Sequence, residues 1–219
     1  MSSYLSLNIK LNSISFLSSF LNPIANIILL FIFFMQHRDE GYLPTISETG
    51  TELPNNIFMF IIFSTVSISF FFNNLVIILN LKSVCDVTNN LLKVCHVLNF
   101  SYLFFYMSIS TCSLNEIPSL HHFSTLVSFY SIVILNFITT ILTFKKSSNW
   151  EKIIRLFALI SENLALIIVA LSEYIFSWRY EGTIATLGEY YVIFANTIFS
   201  CSYYSNFKRM EAYIDMDSK

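Results

Sequence analysis

A few ionisable and amide side chains interrupt the apolar runs of this chain, and they set the chemistry open to it. Glu162 lies near the middle of one run. On that run Arg155, Glu162 and Glu173 stand at i, i+7 and i+18, one face of a helix. Glu189, Asn196, Ser200 and Tyr203 stand at i, i+7, i+11 and i+14 on the next. A third stripe holds His121, Ser124, Ser128 and Thr139, with His122 beside it. Ionisable groups at membrane depth are costly, so each needs a partner or a use. Two readings are open. One is interhelical hydrogen-bond glue, worth roughly 0.6–2 kcal/mol per contact. The other is a polar mouth between the fourth, fifth and sixth runs, for a lipid headgroup, an ion or a proton. Glu173, Glu189, His121 and His122 stand at the same end of their runs. An acidic, histidine-bearing mouth could sense pH.

Glu162 lies about nine residues, roughly 13 Å, from one end of its run. Asn196 lies about eleven residues, roughly 16 Å, from the matching end of the next. The short link between the two runs makes them antiparallel neighbours. Glu162 is therefore expected to face the bundle interior, hydrogen-bonded to Asn196 or another polar side chain.

Other chemistries find no support. No H-E-x-x-H occurs, and His37, Asp39 and Glu40 lack a ligand-like repeat. With only 4 glycines there is no phosphate-cradling loop. No C-x-x-C joins Cys85, Cys95, Cys112 and Cys201, which read as free thiols. No Ser-His-Asp set can be argued from spacing. The expectation is a protein with no catalytic residues, metal or cofactor. A net charge of −2 gives no basic face for nucleic acid.

The elements that carry these residues are membrane spans. Residues are 55% hydrophobic and 12% charged, against about 25% charged in soluble domains. The fold expected is all-α, one polytopic domain over 1–219. Six transmembrane helices cover about 14–35, 57–81, 94–112, 123–144, 153–178 and 188–207. Polar links fall at 82–93, 113–120, 145–152 and 179–187. Pro23 is tolerated inside the first span. That run lacks a basic n-region and cleavage site, so it reads as a retained span. The sequon Asn99-Phe100-Ser101 lies inside a span and is expected to be unused. Trp150 and Trp178 fall where interfacial belts belong. Of the 12 Lys and Arg, ten fall on the side of the termini, and only Arg38 and Arg179 on the other. Both termini are thus expected in the cytosol and loop 36–56 outside it.

That loop is the richest in turn formers, acids and hydroxyls. It contains Pro44, Ile46, Ser47, Glu48, Thr49, Gly50 and Pro54. Ser47, Thr49 and Thr51 can bond nearby backbone, Glu48 or Glu52 can accept from amides, and Gly50 can supply a positive φ. A compact, self-bonded cap is expected. Its pattern P-x-I-S-E-T-G-x-x-x-P resembles the first-loop signature of the DRAM/Sfk superfamily. Thr45 replaces the usual aromatic, and Asn55 the acid that often follows the proline. A histidine opening span four (His121 or His122), Glu189-Tyr190 opening span six, and Asn206-Phe207-Lys208 at the last exit resemble the same family. The resemblance implies six spans. It implies a non-enzymatic regulator like the autophagy modulators of lysosomes and other endomembranes, or an Sfk-like organiser at the plasma membrane. The alternative is lipid handling through the polar mouth between spans four, five and six, as a GPI-anchor remodelling factor like other relatives in that family or as a small transporter. The partners are the bilayer, and a lipid headgroup or a membrane protein. The twelve-residue tail after Phe207 leans toward the compact autophagy-modulator type, and Tyr213-Ile214-Asp215-Met216 fits a Y-x-x-hydrophobic sorting pattern.

Overall fold

The structure, a computed structural model, describes residues 11–37, 43–51, 55–112, 117–175 and 181–203. All regular elements among them are helical. In order they are α1 (Leu11–Gln36), a one-turn α2 (Ile46–Thr49), α3 (Asn55–Val84), α4 (Asn89–Thr111) and α5 (Pro118–Thr143). A 3-10 turn (Phe144–Lys146), α6 (Asn149–Ile175) and α7 (Glu181–Cys201) follow. Within α1, α3, α4, α5 and α6 lie stretches long and apolar enough to cross a bilayer: Ser19–Gln36, Asn55–Leu79, Asn89–Thr111, Pro118–Lys146 and Asn149–Leu171. The chain is an all-helical integral membrane bundle. The segment read as the sixth span is helical over Glu181–Cys201, but it is not among these five.

The helices start earlier than hydropathy places them. Thr88 caps α4, its Oγ1 accepting from Leu91 N at 3.4 Å, so α4 begins inside the polar link. Pro118 sits in the first turn of α5, where its missing N–H is harmless. Before α6, Ser148 N donates to Glu151 Oε2 (2.6 Å) and Glu151 N to Ser148 Oγ (3.3 Å), a reciprocal capping box. Polar first turns are helical here but invisible to a search for apolar runs.

Six long helices close a ring among the described residues. α1 packs on α3 and α7, α3 on α4, α4 on α5, α5 on α6, and α6 on α7; α2 lies at one end against α1 and α7. The distribution of side chains suits lipid. Phe31, Ile61, Phe104, Phe137 and Ile160 are exposed, while Asn22, Asn99, Asn136, Glu162 and Arg155 are buried. The interior also holds a stacked Phe63–Tyr106 pair with centroids 5.0 Å apart. Tyr106 Oη donates to Asn22 Oδ1 at 3.1 Å, tying α4 to α1. The α6–α7 contact depends on a small residue: a Cβ on Gly188 would lie 2.7 Å from Val169 Cγ2 and 3.4 Å from the Ala165 carbonyl oxygen.

Candidate functional site

The signature loop folds into a cap bonded within itself and to the bundle. Thr45 is the N-cap of α2: its Oγ1 accepts from Glu48 N (3.1 Å), and Glu48 Oε2 accepts from Thr45 N (2.7 Å). Thr49 Oγ1 donates to Ile46 O (2.6 Å) and Thr51 Oγ1 to Glu48 O (3.0 Å). From α7, Glu189 Oε2 accepts from Ile46 N at 2.9 Å. Thr186 Oγ1 donates to Leu43 O (3.3 Å) and Tyr190 Oη to Pro44 O (3.4 Å). Ile46 points into the hydrophobic core.

Gly50 corrects one expectation. Its φ is −107°, so no left-handed conformation is needed. The glycine instead makes room for Met59 of α3: an added Cβ would run into Met59 Sδ, the flexible end of that side chain, and lie 3.1 Å from Met59 Cβ. Gly50→Val is expected to lower stability by about 1–3 kcal/mol through overpacking. Gly50→Ala carries the same clash without β-branching and should lose a similar amount. Unchanged melting of both variants in detergent would show that the cap does not seat on α3.

Ser47 also departs from its expected role. Rather than bonding local backbone, its Oγ lies 2.7 Å from His121 Nε2 at the start of α5. His121 Nδ1 lies 2.7 Å from the Cys112 carbonyl oxygen. That oxygen can only accept, so Nδ1 carries the proton of the neutral ring, and Nε2 accepts from the Ser47 hydroxyl. His121 is buried, and Ser47 is partly exposed. A cavity of about 20 Å³ lies beside the pair. Ser47, Thr125, Glu189 and apolar Phe63, Ile109 and Phe129 are among its walls. That volume holds about one water.

Deeper in the bundle, Asn136 of α5 joins two of the stripes. Its Nδ2 lies 3.1 and 3.2 Å from the two carboxyl oxygens of Glu162 and 3.3 Å from Asn196 Oδ1. All three residues are buried, Glu162 completely. The node links α5, α6 and α7. Asn136 was not singled out from the sequence, although it continues the i+3/i+4 ladder from Ser128 to Thr139.

At the end of the bundle opposite the cap, Arg155 is 1% exposed. Its Nε donates to Ser202 Oγ (3.1 Å), Nη1 to Thr143 Oγ1 (2.8 Å) and Ser147 Oγ (2.7 Å), and Nη2 to Ser202 O (3.3 Å). The guanidinium lies 3.8 Å from the Tyr203 ring centroid. Nearby, Cys85 Sγ lies 3.1 Å from Leu142 O. Burial pushes the Cys85 thiol above its ordinary range, against the pull of Lys146, which makes it a poor nucleophile.

The remaining candidates disperse. His122 is exposed, its ring edge-on to His121. Pro54 and the side chain of Glu173 lie outside the described residues. Among the described residues no three His, Cys, Asp or Glu gather into a metal-binding group. Comparison of the chain with protein-family models, with curated proteins and with solved structures returned no match.

Proposed function

We propose that this chain is a six-span membrane regulator of the kind its first loop resembles, a DRAM-like modulator resident in lysosomal or other endomembranes. The observation that supports this reading is the cap. The signature residues Ile46, Ser47, Glu48 and Thr49 form one docked unit held by His121 and Glu189, two of the further positions the resemblance singles out; Asn206-Phe207-Lys208 lie outside the described residues. A cap docked on the bundle in this way fits a surface that recognises a membrane-protein partner. Expression of a tagged copy with organelle markers tests it: residence in lysosomes or endosomes fits the proposal, and uniform plasma-membrane residence favours the Sfk-like organiser instead.

The topology in this proposal puts both termini in the cytosol and the cap outside it. Arg155 is buried within the bundle and drops out of the charge count, which leaves nine basic residues against two. A tag after Lys219 is expected to be digested when only the plasma membrane is permeabilised, while an epitope placed at the cap stays protected. The opposite pattern would invert the protein.

A second reading, lipid handling, is favoured by one observation. The Ser47–His121 pair stands beside a partly apolar cavity at an end of the bundle.

A further inference from the structure

The geometry points to a nucleophile–base pair in the cap, with Ser47 Oγ as nucleophile and His121 Nε2 as base, suited to attack on carboxylic esters of membrane lipids. The inference deepens the lipid-handling reading and is independent of where the protein resides.

Three relations carry it. The hydroxyl and the base nitrogen are 2.7 Å apart, within the reach that general-base activation requires. The base is oriented by a third group, the Cys112 carbonyl oxygen at 2.7 Å from Nδ1, which leaves the Nε2 lone pair facing Ser47. Exposure divides in the useful sense: Ser47 is partly exposed, while His121 is buried and shielded from bulk water.

The substrate class follows from place and lining. The pair sits at an end of a transmembrane bundle, the level where the ester linkages of lipids lie between headgroup and acyl chain. Phe63, Ile109 and Phe129 give the adjacent cavity an apolar wall, and its volume of about 20 Å³ admits a water. In the first step Ser47 Oγ bonds to the ester carbonyl carbon as its proton passes to Nε2. The bond from that carbon to the alcohol oxygen then breaks, and the departing alcohol takes the proton from Nε2. In the second step water, deprotonated by Nε2, attacks the acyl-serine. The bond from the carbonyl carbon to Ser47 Oγ then breaks, the proton returns from Nε2 to Oγ, and a carboxylic acid leaves. A second alcohol in place of water would make the same cycle an acyl transfer.

The experiment uses the full chain in lipid nanodiscs with a fluorophosphonate probe, read by mass spectrometry. Ser47 is expected to be phosphonylated. His121→Asn keeps a donor for the Cys112 carbonyl but removes the base, and is expected to slow labelling by about 100-fold or more. Ser47→Ala should abolish hydrolysis of a medium-chain p-nitrophenyl ester. An unlabelled Ser47 in folded wild-type protein overturns the inference whether or not the variants fold. So does equal labelling of His121→Asn. If that variant does not fold, the wild-type labelling rate is followed against pH: a rise to a plateau as an imidazole deprotonates supports the base role, and a flat profile overturns it.

Discussion

Arg155→Lys is expected to destabilise the bundle nearly as much as Arg155→Ala, although lysine keeps the charge. A buried cation carries a desolvation penalty of several kcal/mol. Among the described residues, the groups that accept its hydrogen bonds are neutral. These partners are Thr143, Ser147, Ser202 and the Tyr203 ring, spread over the end of α5, the residue after the 3-10 turn and the turn that follows α7. Hydrogen bonds from a charged donor contribute about 1.5–3 kcal/mol each, and a desolvated cation–π contact about 2 kcal/mol. Four such bonds together exceed the penalty, but only because one planar fork reaches all the partners at once. The single nitrogen of lysine cannot span them, so it retains most of the penalty and loses most of the gain. Loss of about 3 kcal/mol or more is expected for both variants, read by thermal unfolding in detergent or nanodiscs. Wild-type stability in Arg155→Lys would mean that charge alone, and not the fork, holds this end together.

The same residue shows where sequence reading reaches its limit. The all-helical class and the rough position of the apolar helices were legible, because about 20 apolar residues are needed to cross a bilayer and little else produces such runs. The polar stripes were legible too, since a helix returns to one face every three to four residues. Which stripes meet was not. Pairing depends on how the helices close into a ring, and spacing along one helix carries no information about its neighbour. Asn136 was missed for this reason: an amide inside a run looks neutral until two other helices present a carboxyl and an amide to it. Arg155 was placed on the stripe with Glu162 and also counted as a cytosolic charge, since spacing alone does not distinguish a loop-side arginine from one folded inward. In the cap, Thr45-x-x-Glu48 has the spacing of a capping box, and the self-bonded turn was foreseeable from it. Its anchors, His121 and Glu189, are 74 and 143 residues away from their partners in the chain. Gly50 was misassigned because turn glycines commonly supply positive φ, whereas here the missing Cβ makes room for Met59.

Glu162→Gln is expected to leave the bundle within about 1 kcal/mol of wild type, while Glu162→Leu and Asn136→Leu each lose about 2 kcal/mol. The node has one donor nitrogen, Asn136 Nδ2, facing three acceptors: both Glu162 carboxyl oxygens and Asn196 Oδ1. Glutamine keeps an acceptor for Asn136 and adds an amide that can donate to Asn196, so the three helices stay connected. Leucine at 162 or 136 strands the remaining polar groups in the interior, where water cannot replace the lost bonds. Because the two leucine variants remove the same contacts, their losses should not add. The double variant is expected to fall short of the sum by about 1 kcal/mol or more. If the role is structural, Glu162→Gln also leaves activity intact. If the carboxyl carries a proton during function, the same variant folds normally and is inactive. Additive leucine losses, or a Glu162→Gln variant as unstable as Glu162→Leu, would show that Asn136 does not bind Glu162 in the bundle.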